Sequence, residues 1–139
     1  MKTTVWRRWG AVAPIAACAV ALAVGARGQE EATRAETMRK KLEYSKQVLE
    51  GLTREDFPEI ARGARALKTL GESEVWGDLN RPEAERYGLY IKEFQSLAGE
   101  LVAKADAKNL DGVTLAYVQL TVNCVRCHKE LRESRAHAR

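Results

Sequence analysis

The sequence predicts an all-α protein, an antiparallel four-helix bundle, and three observations carry that prediction. Apolar residues recur at steps of three and four through most of the chain after Glu30. No long run alternates apolar and polar residues, and β-branched residues are sparse outside Val113–Val125. Four periodic segments with short connections follow one another, the arrangement that up-and-down packing of amphipathic helices requires. The 139 residues suffice for one domain and are too few for two ordinary ones. No internal repeat or low-complexity segment interrupts them.

The front of the chain reads differently. "MKTTVWRRW" is basic and free of acids, the run from Gly10 to Ala26 is apolar, and "RGQEEATRAET" then turns abruptly polar. That order predicts a secretory signal peptide over residues 1–28, with small residues for cleavage at Val24-Gly25-Ala26 or Ala26-Arg27-Gly28. The exported domain is then 29–139. Two rival readings stand beside it. An apolar run of 17 residues is at the lower limit for an uncleaved membrane anchor. "IAAC" ending at Cys18 resembles a lipoprotein box, although the chain stays apolar after Cys18.

Charge follows the same division. Of the 23 basic residues, Lys2, Arg7, Arg8 and Arg27 precede Gln29, whereas all 19 acids follow Gly28. The exported domain is therefore balanced. The pI of about 9.1 belongs to the export segment and gives no nucleic-acid-binding surface.

The first helix is expected over Glu31–Leu52, with Met38, Leu42, Ser45, Leu49 and Leu52 on its buried stripe and Gly51 as a stop. Thr53 is the expected N-cap of the second helix, whose buried stripe is Phe57, Ile60, Ala64, Leu67 and Leu70 and which Gly71 ends. Ala61, Gly63, Ala64 and Ala66 suggest the close approach of a neighbour. "ESEVWGDLN" reads as a loop in which Trp76 caps the bundle end. A third helix is expected from Arg81-Pro82, with Tyr87, Tyr90 or Ile91, Phe94, Leu97 and Leu101 inward. After "KADAKNLDG" the fourth is expected over Leu110–Ser134, with Val113, Tyr117, Leu120, Cys124, Cys127 and Leu131 on one face.

That last helix carries the chemistry. After the export segment the only cysteines are Cys124 and Cys127, in "NCVRCHKE". A disulfide between them would close a tiny loop and constrain little of the unfolded chain. A zinc site needs more protein ligands, and the only other histidine is His137, nine residues on in a tail expected to fray. A thioredoxin-like couple needs its cysteines at the start of a helix after a strand. C-x-x-C-H is also the attachment pattern of c-type haem. Two thiols three apart share a side of a helix and reach the two vinyl groups on one porphyrin edge. The next residue, His128, can ligate iron. Nothing in the chain resembles a nucleophile–base pair, a phosphate loop or a carboxylate dyad, so no enzyme is predicted.

An exported four-helix bundle with "CVRCHKELR" on its last helix resembles the cytochrome c-prime family and its low-spin relatives, the cytochromes c-556. The resemblance spans about Thr33 to Arg135. It implies one haem c, with Cys124 and Cys127 as thioether links, His128 as proximal ligand and Arg132 as the basic residue one turn beyond. In the family the first helix covers the other face of the haem. High-spin members place a non-ligating apolar residue there, and the c-556 type places a methionine. Met38, four residues after Arg34 in "EATRAETMRKK", is the only methionine beyond Met1. The resemblance implies Met38 as sixth ligand and Arg34 near the propionates, although a methionine on such a helix is ordinarily core filler.

The expected function is that of a periplasmic electron carrier passing single electrons between redox partner proteins. The alternative is a five-coordinate haem protein that binds nitric oxide or carbon monoxide. The family also pairs through its first two helices, so a homodimer through the small residues around Ala61–Ala66 is a further expectation. Membrane association is expected only if the N-terminal segment is retained.

Overall fold

The computed structural model describes residues 13–73 and 82–137. Among them are four helices and no strand: α1 (Ala13–Thr53), α2 (Phe57–Ser73), α3 (Pro82–Asp106) and α4 (Leu110–His137). The fold is all-helical and consistent with a helical bundle. The basic stretch before Gly10, Trp76 with its loop, and Arg81 lie outside the described residues. Among those described, no helix is long and apolar enough to cross a membrane.

The chain divides into two compact units, Met1–Met38 and Arg39–Arg139. In the first, the described part is the N-terminal portion of α1. There the Thr33 hydroxyl donates to the Gln29 carbonyl at 2.9 Å and the Thr37 hydroxyl to the Thr33 carbonyl at 3.0 Å. The second unit holds the remainder of α1 and the other three helices.

Two short connections in the second unit are built alike. Glu55 and Lys108 adopt left-handed φ values of 54° and 53°. The next amide then reaches back to close the preceding helix: Asp56 N–H to the Gly51 carbonyl at 2.9 Å, and Asn109 N–H to the Lys104 carbonyl at 3.0 Å. The same two residues open the following helix. The Asp56 carboxylate accepts from Glu59 N–H at 3.0 Å and the Asn109 side-chain oxygen from Gly112 N–H at 2.8 Å. Thr53 is therefore not the N-cap of α2. α1 continues through it, and its hydroxyl donates to the Glu50 carbonyl at 2.8 Å. The acid beyond the turn takes the cap.

Gly51 and Gly71 are not stops either. No glycine has positive φ among the described residues, and both lie buried inside their helices. They permit contact: a Cβ on Gly51 would stand 2.8 Å from the Ile60 side chain, and one on Gly71 2.9 Å from the Phe94 ring.

The core gathers Ile60, Ala64 and Leu67 from α2, Phe94 and Leu101 from α3, and Val113 and Leu120 from α4. These agree with the sequence stripes. α1 does not. Leu42 and Leu49 are 57% and 47% exposed, and the buried arc is Val48 with Tyr44 and Leu52 packed beside it. The leucine spacing fits a helical face, but that face lies about a quarter-turn from the buried one. What selects the buried arc is Gly63, whose missing Cβ would lie 2.8 Å from Val48 Cγ2 and 3.1 Å from the Tyr44 carbonyl oxygen. Gly63 thus serves close packing of α2 against α1 within the chain, and Ala61 and Ala64 are buried in the core.

Polar ties join the helices. Arg65 pairs with Asp106 at 2.6 Å, and the Gln95 amide donates to the Gly71 carbonyl at 2.8 Å. Toward α4, Arg86 pairs with Glu130 at 2.8 Å and the Tyr87 hydroxyl donates to Ser134 at 3.2 Å.

Candidate functional site

The C-x-x-C-H segment lies within α4, and the helix is tied on both sides of it. Upstream, the Ser45 hydroxyl of α1 meets the Tyr117 hydroxyl at 3.4 Å. Immediately before the first cysteine, Asn123 is buried and donates from its amide nitrogen to Glu93 Oε2 of α3 at 2.7 Å. Downstream come the Arg86–Glu130 and Tyr87–Ser134 contacts. A buried amide bonded to a carboxylate is a strong tie. It sets the rotation of α4 about its axis at the residue preceding the site.

That rotation places Cys124 and Cys127 half-buried and His128 exposed. Both cysteines are thiols and not halves of a disulfide. Cys124 packs against the core cluster. Burial pushes its thiol pKa above the ordinary 9.0, with the Lys41 ammonium acting in the opposite direction. The Lys41 ammonium also lies over the Phe94 ring, 4.2 Å from its centroid, which keeps a positive charge between α1 and the base of the site.

An open concavity of about 300 Å³ adjoins this segment, lined by Cys124, Val125, His128 and Arg132. These residues at spacings of one, four and eight occupy one side of two helical turns. Among the described residues no group of three or more His, Cys, Asp and Glu side chains gathers as a metal site.

The donor set fits a covalently held haem. It offers two thiols one helical turn apart, an accessible imidazole one turn from the first of them, and an apolar and a cationic side chain around the same hollow. Cys124 and His128 line the concavity, and Cys127, half-buried on the same helix, is not part of its lining. His137 is not in a frayed tail: α4 runs on to it, past the expected end at Ser134, and its Nδ1 lies 2.7 Å from the Glu133 carbonyl oxygen. Arg34 and Met38 belong to the other compact unit. Arg34 is exposed and Met38 half-buried, one turn apart on α1.

One contributor, Asn123, escaped the sequence reading. Asn123 carries a signal in retrospect, since a polar residue at steps of three and seven from Leu120 and Ala116 sits at a core position. Lys41, with Lys40 and Tyr44, reads from the sequence as a candidate distal neighbour and more readily as solvated surface; the structure has it half-buried over the Phe94 ring.

No family model, no curated protein and no solved structure matches this chain.

Proposed function

We propose that this protein is an exported mono-haem c-type cytochrome that carries single electrons in the periplasm, built as an antiparallel four-helix bundle. The observation that carries the reading is the donor set on α4: the half-buried Cys124 and the accessible His128 line one open concavity, and the half-buried Cys127 lies one turn from Cys124 on the same helix. Contacts of early α3 with late α4, Arg86 with Glu130 and Tyr87 with Ser134, support the antiparallel order.

In this reading the Cys124 and Cys127 thiols would hold the haem by addition to its two vinyl groups and His128 would ligate its iron. By the family resemblance Met38 would be a further iron ligand and Arg34 would serve the propionates. Haem c, when bound, supplies a one-electron ferric–ferrous couple whose potential methionine–histidine ligation raises. The chain's own work is to hold and orient. Asn123, through Glu93, fixes the rotation of α4, and the core around Cys124 excludes water from that side. Lys41 lies close enough to act on the Cys124 sulfur. The protein carries out no substrate chemistry, and its partners are other redox proteins.

Producing the chain in a host that attaches c-type haem tests this. The wild type should retain haem after denaturation, seen as an intact mass raised by one haem. Cys124→Ala together with Cys127→Ala should abolish the increment. A wild-type chain that leaves such a host with two unmodified thiols overturns the reading.

A further inference from the structure

α4 has a second face, turned away from the core. Asp111, Leu115, Val118, Val122, Val125 and Lys129 follow one another along it at steps of four, three, four, three and four. That alternation is the seven-residue repeat by which one helix pairs with another along a seam. Its four apolar members are exposed, Leu115 at 60%, Val118 at 52%, Val122 at 42% and Val125 at 60%. Asp111 and Lys129 at its two ends are exposed as well. The buried face of the same helix, with Val113, Ala116 and Leu120, is a separate set. An apolar seam left bare on a helix that already has a core face calls for an occupant.

We propose that this face joins two copies of the chain, α4 against α4, antiparallel about a two-fold axis. The pattern is its own complement in that direction. With the axis level with Leu120, Val118 meets the partner's Val122, Leu115 meets the partner's Val125, and Asp111 meets the partner's Lys129. A two-fold contact makes each pairing twice. The parallel alternative sets Asp111 against Asp111 and Lys129 against Lys129, which like-charge repulsion disfavours.

The surroundings agree. Thr114, Gln119 and Thr121 beside the seam are uncharged and exposed, so no like charges meet where the helices cross the axis. Lys129 also pairs with Glu133 at 3.8 Å, an exposed contact one turn along its own helix. Such a contact holds the ammonium weakly and leaves it able to serve the partner's Asp111. Leu42 and Leu49 of α1 stand three before and four after Ser45, which meets Tyr117 of α4. Cys124 and Cys127 lie well round the helix from the seam, whereas Val125 belongs both to the seam and to the lining of the concavity.

Sedimentation velocity of the full chain across roughly 1–100 µM, the range in which a modest interface dissociates, tests the proposal with four variants. The wild type should be a dimer, and Val122→Asp, on an exposed helical position that does not disturb the core, should make it a monomer with unchanged circular dichroism. Asp111→Lys and Lys129→Asp should each weaken association about tenfold or more, since each sets like charges together twice. The double variant Asp111→Lys/Lys129→Asp should restore it. A wild type that stays monomeric throughout overturns the proposal. So does a dimer that Val122→Asp leaves intact, including one formed through α1 and α2. A double variant as weak as the single ones overturns the antiparallel register.

Discussion

Cys124 is the residue at which packing and chemistry meet. Its half-buried position shields the sulfur from water, and this favours the neutral thiol over the thiolate. In the haem-free chain the folded pKa therefore lies above the ordinary 9.0, despite the opposing charge of Lys41. The folded state holds this proton where the unfolded chain releases it. That contribution to stability is fully present below about pH 9 and is lost as pH rises through the raised folded value. Urea titrations of the haem-free chain should show an alkaline decline that becomes smaller in Cys124→Ser. An identical decline in both chains would assign it to other groups. Asn123, one residue earlier, should be worth more. Replacing it with alanine removes a bond to a carboxylate and empties a buried site, and should cost about 1–3 kcal/mol. A change under about 0.5 kcal/mol in urea unfolding would show that the Asn123–Glu93 tie does not set the rotation of α4.

At the scale of the element, the helices meet through missing side chains. Gly63→Ala places a Cβ against Val48 and the Tyr44 carbonyl, and part of that clash is with backbone that cannot swing away. The overpacking should outweigh the gain in helix propensity and destabilise the chain by about 1–3 kcal/mol. Gly99, in the middle of α3, has nothing within 4 Å of the same added atom. Gly99→Ala should stabilise by about 0.5–1 kcal/mol. Thermal unfolding of the two variants should move in opposite directions, and a shared direction would contradict the assignment of Gly63 as a contact position.

The four helices themselves were legible because apolar spacing encodes them directly. The buried face of α1 was not. Leu42 and Leu49 look like core residues by type and spacing, yet the small residue opposite, Gly63, draws Val48 inward instead. Sequence periodicity reports that a face is apolar and is silent about which neighbour covers it. The N-cap at Asp56 was hidden for a related reason: Thr53 is an equally good cap by type, and only the left-handed turn at Glu55 decides between them. The extension of α4 to His137 adds no apolar residue to the stripe, so periodicity had nothing to mark it by.

For the whole molecule, the candidate site was legible to the extent that it is local. Cys124, Cys127 and His128 sit within five consecutive residues, so the helix alone keeps them near one another, and Cys124 and His128 line one concavity. Asn123 and Lys41 act from, or through, other helices, and their part depends on tertiary packing that no short motif records. Met38 and Arg34 rest on likeness to a family and on the scarcity of methionine. The assignment of Met38 is also what separates an electron carrier from a gas-binding protein. Ligation from both sides keeps the coordination geometry nearly constant between oxidation states, which suits electron transfer, whereas an open position suits capture of a small gas. The decisive measurement is the absorption spectrum of the protein purified from a host that attaches c-type haem, oxidised and dithionite-reduced, before and after carbon monoxide. The account predicts a low-spin spectrum in both states that carbon monoxide leaves unchanged. A high-spin spectrum that shifts promptly with the gas would contradict it, making Met38 a packing residue and the protein a gas binder.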